Sequence, residues 1–129
     1  MNVNARPEGR PNLARGLEQA SATPGAVVLD VREPQEYAQG HVPGSVNLPL
    51  GQVASISLPR QTPLFVYCLS GARSRQACAE LRQLGYQAVN MGGVLGYKGS
   101  LVHTEEDKKY QQLHRKRKKC GILSLKSSP

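Results

Sequence analysis

The stretch Leu64-Phe65-Val66-Tyr67-Cys68-Leu69-Ser70-Gly71-Ala72-Arg73-Ser74 decides how the rest of the chain is read. Its first four residues are large and apolar or aromatic without a polar interruption, the pattern of a short strand buried on both faces of a sheet. Cys68 follows at the strand's carboxyl end. After the loop Leu69 to Arg73, the segment Ser74 to Leu84 places Ala77, Cys78, Leu81 and Leu84 on one helical face, and Gly85 stands just past its end. A buried strand, a short loop and a helix make the unit from which parallel sheets are built, and open α/β sheets carry their sites at the carboxyl ends of such strands.

On the amino-terminal side the unit recurs. Ala26-Val27-Val28-Leu29-Asp30-Val31 is a second strand-length apolar run that ends in polar Asp30-Val31-Arg32. Glu33 to Ala38 begins a short helix with Pro34 in its first turn, and Gly40 stops it. His41-Val42-Pro43-Gly44-Ser45 reads as a turn and Val46 to Leu50 as a short strand. Residues 51–63 hold at most one brief helix, because Pro59 and Pro63 break anything longer. Farther out, Leu13 to Ala20 forms a helix with Leu13, Leu17 and Ala20 on one face, closed by Ser21-Ala22-Thr23-Pro24-Gly25. On the carboxyl-terminal side, Gln87 to Met91 is a strand, Gly92-Gly93 a turn and Val94 to Lys98 a short apolar segment. Strands alternating with helices predict an α/β fold with a parallel sheet covered on both faces.

The 129 residues leave room for one domain, with residues 1–11 as a lead-in, 12–102 as the folded unit and 103–129 as a tail. A hydrophobic fraction of 39% with no Trp, one Phe and five Tyr implies an aliphatic core. The net charge of +8 is unevenly distributed. Through residue 102 there are nine Lys/Arg and six Asp/Glu, and from 103 onward eight and three. Excess basicity therefore belongs to the tail. There Glu105-Glu106-Asp107 precede the block His114-Arg115-Lys116-Arg117-Lys118-Lys119, an order that suits the dipole of a frayed helix over about Thr104 to Lys119, or a disordered segment. The block has no interleaved aromatic residues, so a solvated charged tail is expected rather than a nucleic-acid or membrane contact. No run of about 18 apolar residues is present, and Met1 to Arg15 lacks the apolar core of a signal peptide. The expectation is a soluble cytoplasmic protein, monomeric, without a bound metal or cofactor. The cysteines, Cys68, Cys78 and Cys120, are odd in number and widely spaced, which offers no zinc site and fits a reducing compartment.

The chemistry concentrates at Cys68. Backbone N–H groups of a tight loop converge on a thiol placed there, and the following helix adds partial positive charge. Both favour the thiolate, the nucleophilic form. Arg73 adds a full charge nearby, and Gly71 permits the turn. A buried, inert cysteine at a strand end is the plain alternative.

Three segments together resemble the rhodanese family. They are Val28-Leu29-Asp30-Val31-Arg32-Glu33-Pro34-Gln35-Glu36-Tyr37, then Gly40-His41-Val42-Pro43-Gly44-Ser45-Val46-Asn47-Leu48-Pro49, then Tyr67-Cys68-Leu69-Ser70-Gly71-Ala72-Arg73-Ser74. Gly85-Tyr86 and Met91-Gly92-Gly93 resemble the family's closing elements, and the likeness spans about residues 12–101. The resemblance implies a three-layer α/β/α domain with a roughly five-stranded parallel sheet. It also implies a sulfurtransferase in which Cys68 takes a sulfane sulfur from thiosulfate or a persulfide donor and passes it to a thiol or cyanide. By the same resemblance the amides of Leu69, Ser70, Gly71, Ala72, Arg73 and Ser74 cradle the persulfide, and Arg73 helps hold it or an anionic donor. Asp30, Arg32 and Glu36 would support the site, Arg32 pairing with Glu36. His41 looks like a base but sits in a Gly-His-Val-Pro-Gly setting that favours a turn-stabilising role.

Two features refine what the resemblance implies. The best thiosulfate-using members resemble a loop with a basic residue directly after the cysteine; here Leu69 stands there, so a protein or low-molecular-weight persulfide donor fits as well as thiosulfate. Cysteine phosphatases, of related fold, need Cys-x5-Arg, whereas Arg73 lies five positions after Cys68 and Ser74 occupies the phosphatase arginine's place, which disfavours phosphate or arsenate chemistry. Cys78 belongs to the inner helix face, and Cys120 is a surface thiol or a sulfur-relay partner. The alternative from another functional class is a non-catalytic rhodanese-like module that engages a partner protein through its basic tail.

Overall fold

A computed structural model describes residues 11–104. Cys120 and the basic block Arg115–Lys119 lie outside them, as does the lead-in through Arg10.

The central strand is β3, Leu64–Cys68, and all five of its residues are buried, as an uninterrupted apolar run requires. It pairs in parallel with β1, Val27–Asp30, on one side and with β4, Ala88–Gly93, on the other. The short β2, Val46–Asn47, pairs in parallel with β1, which gives the order β2-β1-β3-β4. Among the described residues the sheet therefore has four strands, where about five were expected. Val46–Leu50 contributes only two residues to the ladder. Pro49 has no N–H to offer, and Leu50–Ser55 winds into a 3-10 helix.

Side chains of β3 alternate between the two faces of the sheet. Leu64, Val66 and Cys68 enter a core with Leu29, Ala77, Cys78, Leu81 and Ala88, under α3, Ala72–Gln83, and the 3-10 helix. Phe65 and Tyr67 enter a second core with Leu13, Ala20, Val89 and Met91, under α1, Leu13–Ser21. Helices on both faces make the three layers that the alternating pattern predicts. α1 starts where Asn12 accepts the Arg15 N–H at 2.9 Å, a side-chain cap. The remaining helix, α2, Pro34–Gln39, follows β1 and opens with a capping box in which the Glu33 N–H donates to Glu36 Oε1. Among the described residues no helix is long and apolar enough to cross a membrane.

Candidate active site

Cys68 is the last residue of β3 and the first of the turn into α3. The ladder to β4 changes register there: Val66 faces Asn90, but Cys68 faces Gly93, so β4 carries one extra residue. Such a bulge bends a strand end and re-aims a side chain. The pairing then runs on into the loop, with the Val94 N–H donating to the Cys68 carbonyl and the Leu95 N–H to the Leu69 carbonyl. Gly93 permits this approach, since a Cβ there would overlap the Leu69 carbonyl. Gly71, at φ 109°, takes the left-handed conformation that turns the loop into the helix.

The result is a closed cradle around one sulfur. The Gly71 N–H donates to Cys68 Sγ at 3.0 Å and the Ser74 N–H at 3.3 Å, with Ser74 Oγ at 3.5 Å. Burial alone pushes this thiol up. The Ser74 hydroxyl and the amides of Ser74, Gly71 and Ser70 outweigh it, and the thiol ends below its ordinary value. When sulfur is protonated its S–H donates to Ser74 Oγ; when it is ionised the hydroxyl can turn its own proton toward it. That proton has other claimants, because Ser74 Oγ–H also reaches Asn90 Oδ1 at 2.6 Å and the carbonyls of Gly71 and Gly92 at 3.1 and 3.2 Å. Asn90 Oδ1 in turn accepts the Gly92 N–H at 2.9 Å, which fixes the bulge and the hydroxyl together.

The supporting residues are arranged differently from the expectation. Arg32 does not pair with Glu36. Its guanidinium turns back on Asp30, two residues away, with Nη2 2.8 Å from Oδ2 in a buried pair, and also donates to the Gly40 carbonyl at 2.7 Å. Asn47 closes this corner by donating to the carbonyls of Asp30 and Arg32. Glu36 instead receives Arg73 in a two-pronged pair, Nη1 to Oε1 at 2.8 Å and Nη2 to Oε2 at 3.0 Å. That guanidinium holds the Glu36 carboxyl at about 2. α2 is thereby tied to the first turn of α3. His41 is fully buried, stacks on Tyr37 at 3.7 Å between ring centroids, and donates from Nδ1 to the Tyr37 carbonyl at 2.7 Å. It holds the turn between α2 and β2. Leu69, Ser70 and Ala72 are exposed on the loop's outer side.

Sequence reasoning missed Asn90 and Asn47. Each is the polar member of an otherwise apolar strand, a signal that marks a candidate without naming its partner. Among the described residues no group of three or more His, Cys, Asp or Glu side chains could hold a metal ion. Cys78, the other free cysteine described, lies in the core beneath α3, where burial pushes it up to about 12.

A strand-end cysteine inside a ring of amides narrows the comparison with known proteins, and the family model for the rhodanese-like domain matches residues 13–100. The chain belongs to the rhodanese-like domain family. It is similar to a sulfurtransferase of Allochromatium vinosum, 36% identical over 87 residues, which are 66% of this chain and 77% of that protein. It is also similar to the thiosulfate sulfurtransferase PspE of Escherichia coli, 39% identical over 71 residues, 51% of this chain and 68% of the relative. Among solved structures, a rhodanese-related protein from Thermoplasma volcanium superposes with a TM-score of 0.61 at 32% identity, covering 70% of this chain and 94% of that one. Several other curated relatives are longer, and the chain spans between 18% and 35% of their length. The rhodanese-like sulfurtransferases are thus the family in which the cradle is to be understood.

Proposed function

We propose that the protein is a sulfurtransferase in which Cys68 carries the transferred sulfur as a persulfide. The observation that carries this reading is a thiol buried to 1% exposure yet held below its ordinary pKa by neutral hydrogen-bond donors at the head of α3. A Cys68 thiolate attacks the outer sulfur of a donor, the donor's S–S bond breaks, and sulfite or a thiolate leaves with the electron pair. The persulfide anion then occupies the space that the amides face. An acceptor nucleophile attacks the outer sulfur, and the electron pair of the broken bond returns to Cys68 Sγ. No net oxidation occurs. The donors stay in place through both steps, which is how fixed dipoles stabilise a charge that moves by one atom.

Thiosulfate and organic persulfides are both donors of the right chemistry, and the E. coli relative is named for the first. Incubation with either, followed by mass spectrometry, should add about 32 mass units, one sulfur atom, to the peptide containing Cys68. Cyanide should remove it as thiocyanate. Equal cyanolysis by the wild type and by Cys68→Ser would end the proposal.

A further inference from the structure

Arg73 is the only charged residue between Cys68 and Ser74, and it stands between Gly71 and Ser74, whose N–H groups both donate to the sulfur. A guanidinium in that place would suit an anionic donor, because its fork of N–H groups matches a pair of oxyanion oxygens. The fork is already filled from within the protein. Nη1 and Nη2 lie 2.8 and 3.0 Å from the two carboxylate oxygens of Glu36. Glu36 is itself held in place, since its Oε1 also accepts the Glu33 N–H at 2.9 Å in the capping box of α2. Hydrogen bonding to Glu36, opposed by burial, and then the charges of Glu36, Cys68 and Glu33 hold the Arg73 guanidinium above its ordinary value. The same groups set the charge balance beside the loop: one cation faces two carboxylates, and an ionised sulfur adds to the negative side. Arg32 is paired off with buried Asp30, and Arg75 lines a separate cleft beside β4 that neither Arg73 nor Glu36 borders. The side chains of Arg73 and Glu36 are 32% and 33% exposed, so solutes reach the pair.

We propose that Glu36 is a specificity-determining residue: by occupying both Nη atoms of Arg73 it denies a dianionic donor the loop's cation, so that Cys68 takes sulfur from carbon-bound donors of single charge, organic persulfides and thiosulfonates, in preference to thiosulfate. The inference rests on the sulfur-transfer reading and names its donor class. Glu36 acts through Arg73 and is a positioning residue. The neutral amides of the cradle do not discriminate, since they serve the sulfur left on Cys68 whatever its source. With each donor the Cys68 thiolate attacks the terminal sulfur, the donor's S–S bond breaks, and the leaving group departs with the electron pair as sulfite, a thiolate or a sulfinate.

The test uses two donors of nearly equal size: thiosulfate, a dianion, and methanethiosulfonate, in which a methyl group replaces one oxygen and its charge. Each loads the full chain in single turnovers, and the rate at which sulfur appears on Cys68 is read by mass spectrometry. The quantity compared is the ratio of the two rate constants, thiosulfate over methanethiosulfonate, which is independent of the folded fraction because both donors are read on one sample. In Glu36→Gln, whose Oε1 still accepts the Glu33 N–H, this ratio should rise about tenfold. Glu36→Asp keeps the charge and should leave it within about threefold of the wild type. In an Arg73→Gln background, adding Glu36→Gln should move it less than about twofold. Equal changes for the two donors in Glu36→Gln, the mark of a merely structural role, overturn the assignment and leave sulfur transfer standing. So does a gain that persists at full size without Arg73. A wild type that takes no sulfur from thiosulfate, a thiosulfonate or a persulfide overturns both.

Discussion

Cys68 and Cys78 are a controlled pair inside one molecule. Each is 1% exposed, and both belong to the core beneath α3. Yet Cys68 lies below the ordinary thiol value, whereas Cys78 is pushed up to about 12. Burial works in the same direction on both. What separates them is hydrogen bonding: Cys68 ends a strand and meets the Ser74 hydroxyl together with the Ser74 and Gly71 N–H groups at the head of a helix, while Cys78 lies inside that helix, where the amides are already used. The nearby charge of Arg82 only partly offsets burial at Cys78. At equal burial, the hydrogen-bond donors around the sulfur set the direction in which the thiol is shifted.

The largest expected effect tests that contrast at the sulfurs themselves. Cys68→Ser should reduce sulfur transfer at least about a thousandfold, since a hydroxyl in the same cradle stays protonated. Cys78→Ala should keep turnover within about threefold and lose about 1 kcal/mol of stability in denaturant unfolding, the cost of one atom-sized gap. Reversed outcomes would transfer the active role to Cys78. Next comes the cradle's frame. Gly93→Ala drives a methyl into the Leu69 carbonyl, so the loop must move, and we expect about 2–4 kcal/mol lower stability together with slowed alkylation of Cys68. A variant that alkylates as fast as the wild type would show that the amides do not need this packing.

A subtler change sharpens the contrast further. Ser74→Ala removes the hydroxyl but keeps the amide, and should raise the Cys68 pKa, since the hydroxyl is the first of the groups that hold it down. Read as iodoacetamide alkylation against pH, the midpoint moves upward and the rate near neutrality falls about tenfold. No movement of the midpoint would assign the whole shift to backbone. The smallest effect is at Glu36, which touches neither sulfur. Its carboxyl lies at about 2 against an ordinary 4.5, so its pairing with Arg73 contributes fully above pH 4.5 and is lost as pH falls toward 2. The gap in melting temperature between wild type and Glu36→Gln should therefore close on acidification across that window, from a starting value worth less than about 1 kcal/mol. A gap that widens at acid pH would contradict the pairing.

Much of this was legible in the amino-acid order. β3 announced itself because an unbroken apolar run has few other fates in so small a domain, and α3 did so through the spacing of Ala77, Cys78, Leu81 and Leu84. The loop's place at a strand end followed from both. Pairings between distant segments were not legible. Arg32 was expected on Glu36 from the resemblance alone, but β1 ends at Asp30 and the Arg32 side chain turns back onto that carboxylate instead. Glu36 meets Arg73 across 37 positions, a distance that no local period encodes. Asn90 stayed unnoticed for the same reason, since its importance lies in the hydroxyl it faces, 16 residues earlier. The four strand-like runs in the amino-acid order are the four strands of the sheet; Pro49 and the 3-10 winding after it only shorten β2 to two residues.

The pairing of the loop's first residues with the segment after β4 has a consequence for where the energy of reaction is set. Because Leu95 fixes Leu69 and Asn90 fixes both Ser74 and Gly92, the amides around Cys68 are oriented when the sheet closes, before any substrate arrives. Ordering them draws on the free energy of folding and leaves the free energy of binding untouched. In the proposed sulfur transfer a donor would therefore meet a finished electrostatic environment, and even a small ion with little binding energy of its own would need no further ordering of the loop. Stabilising the folded domain and readying its thiol are, in this protein, a single event.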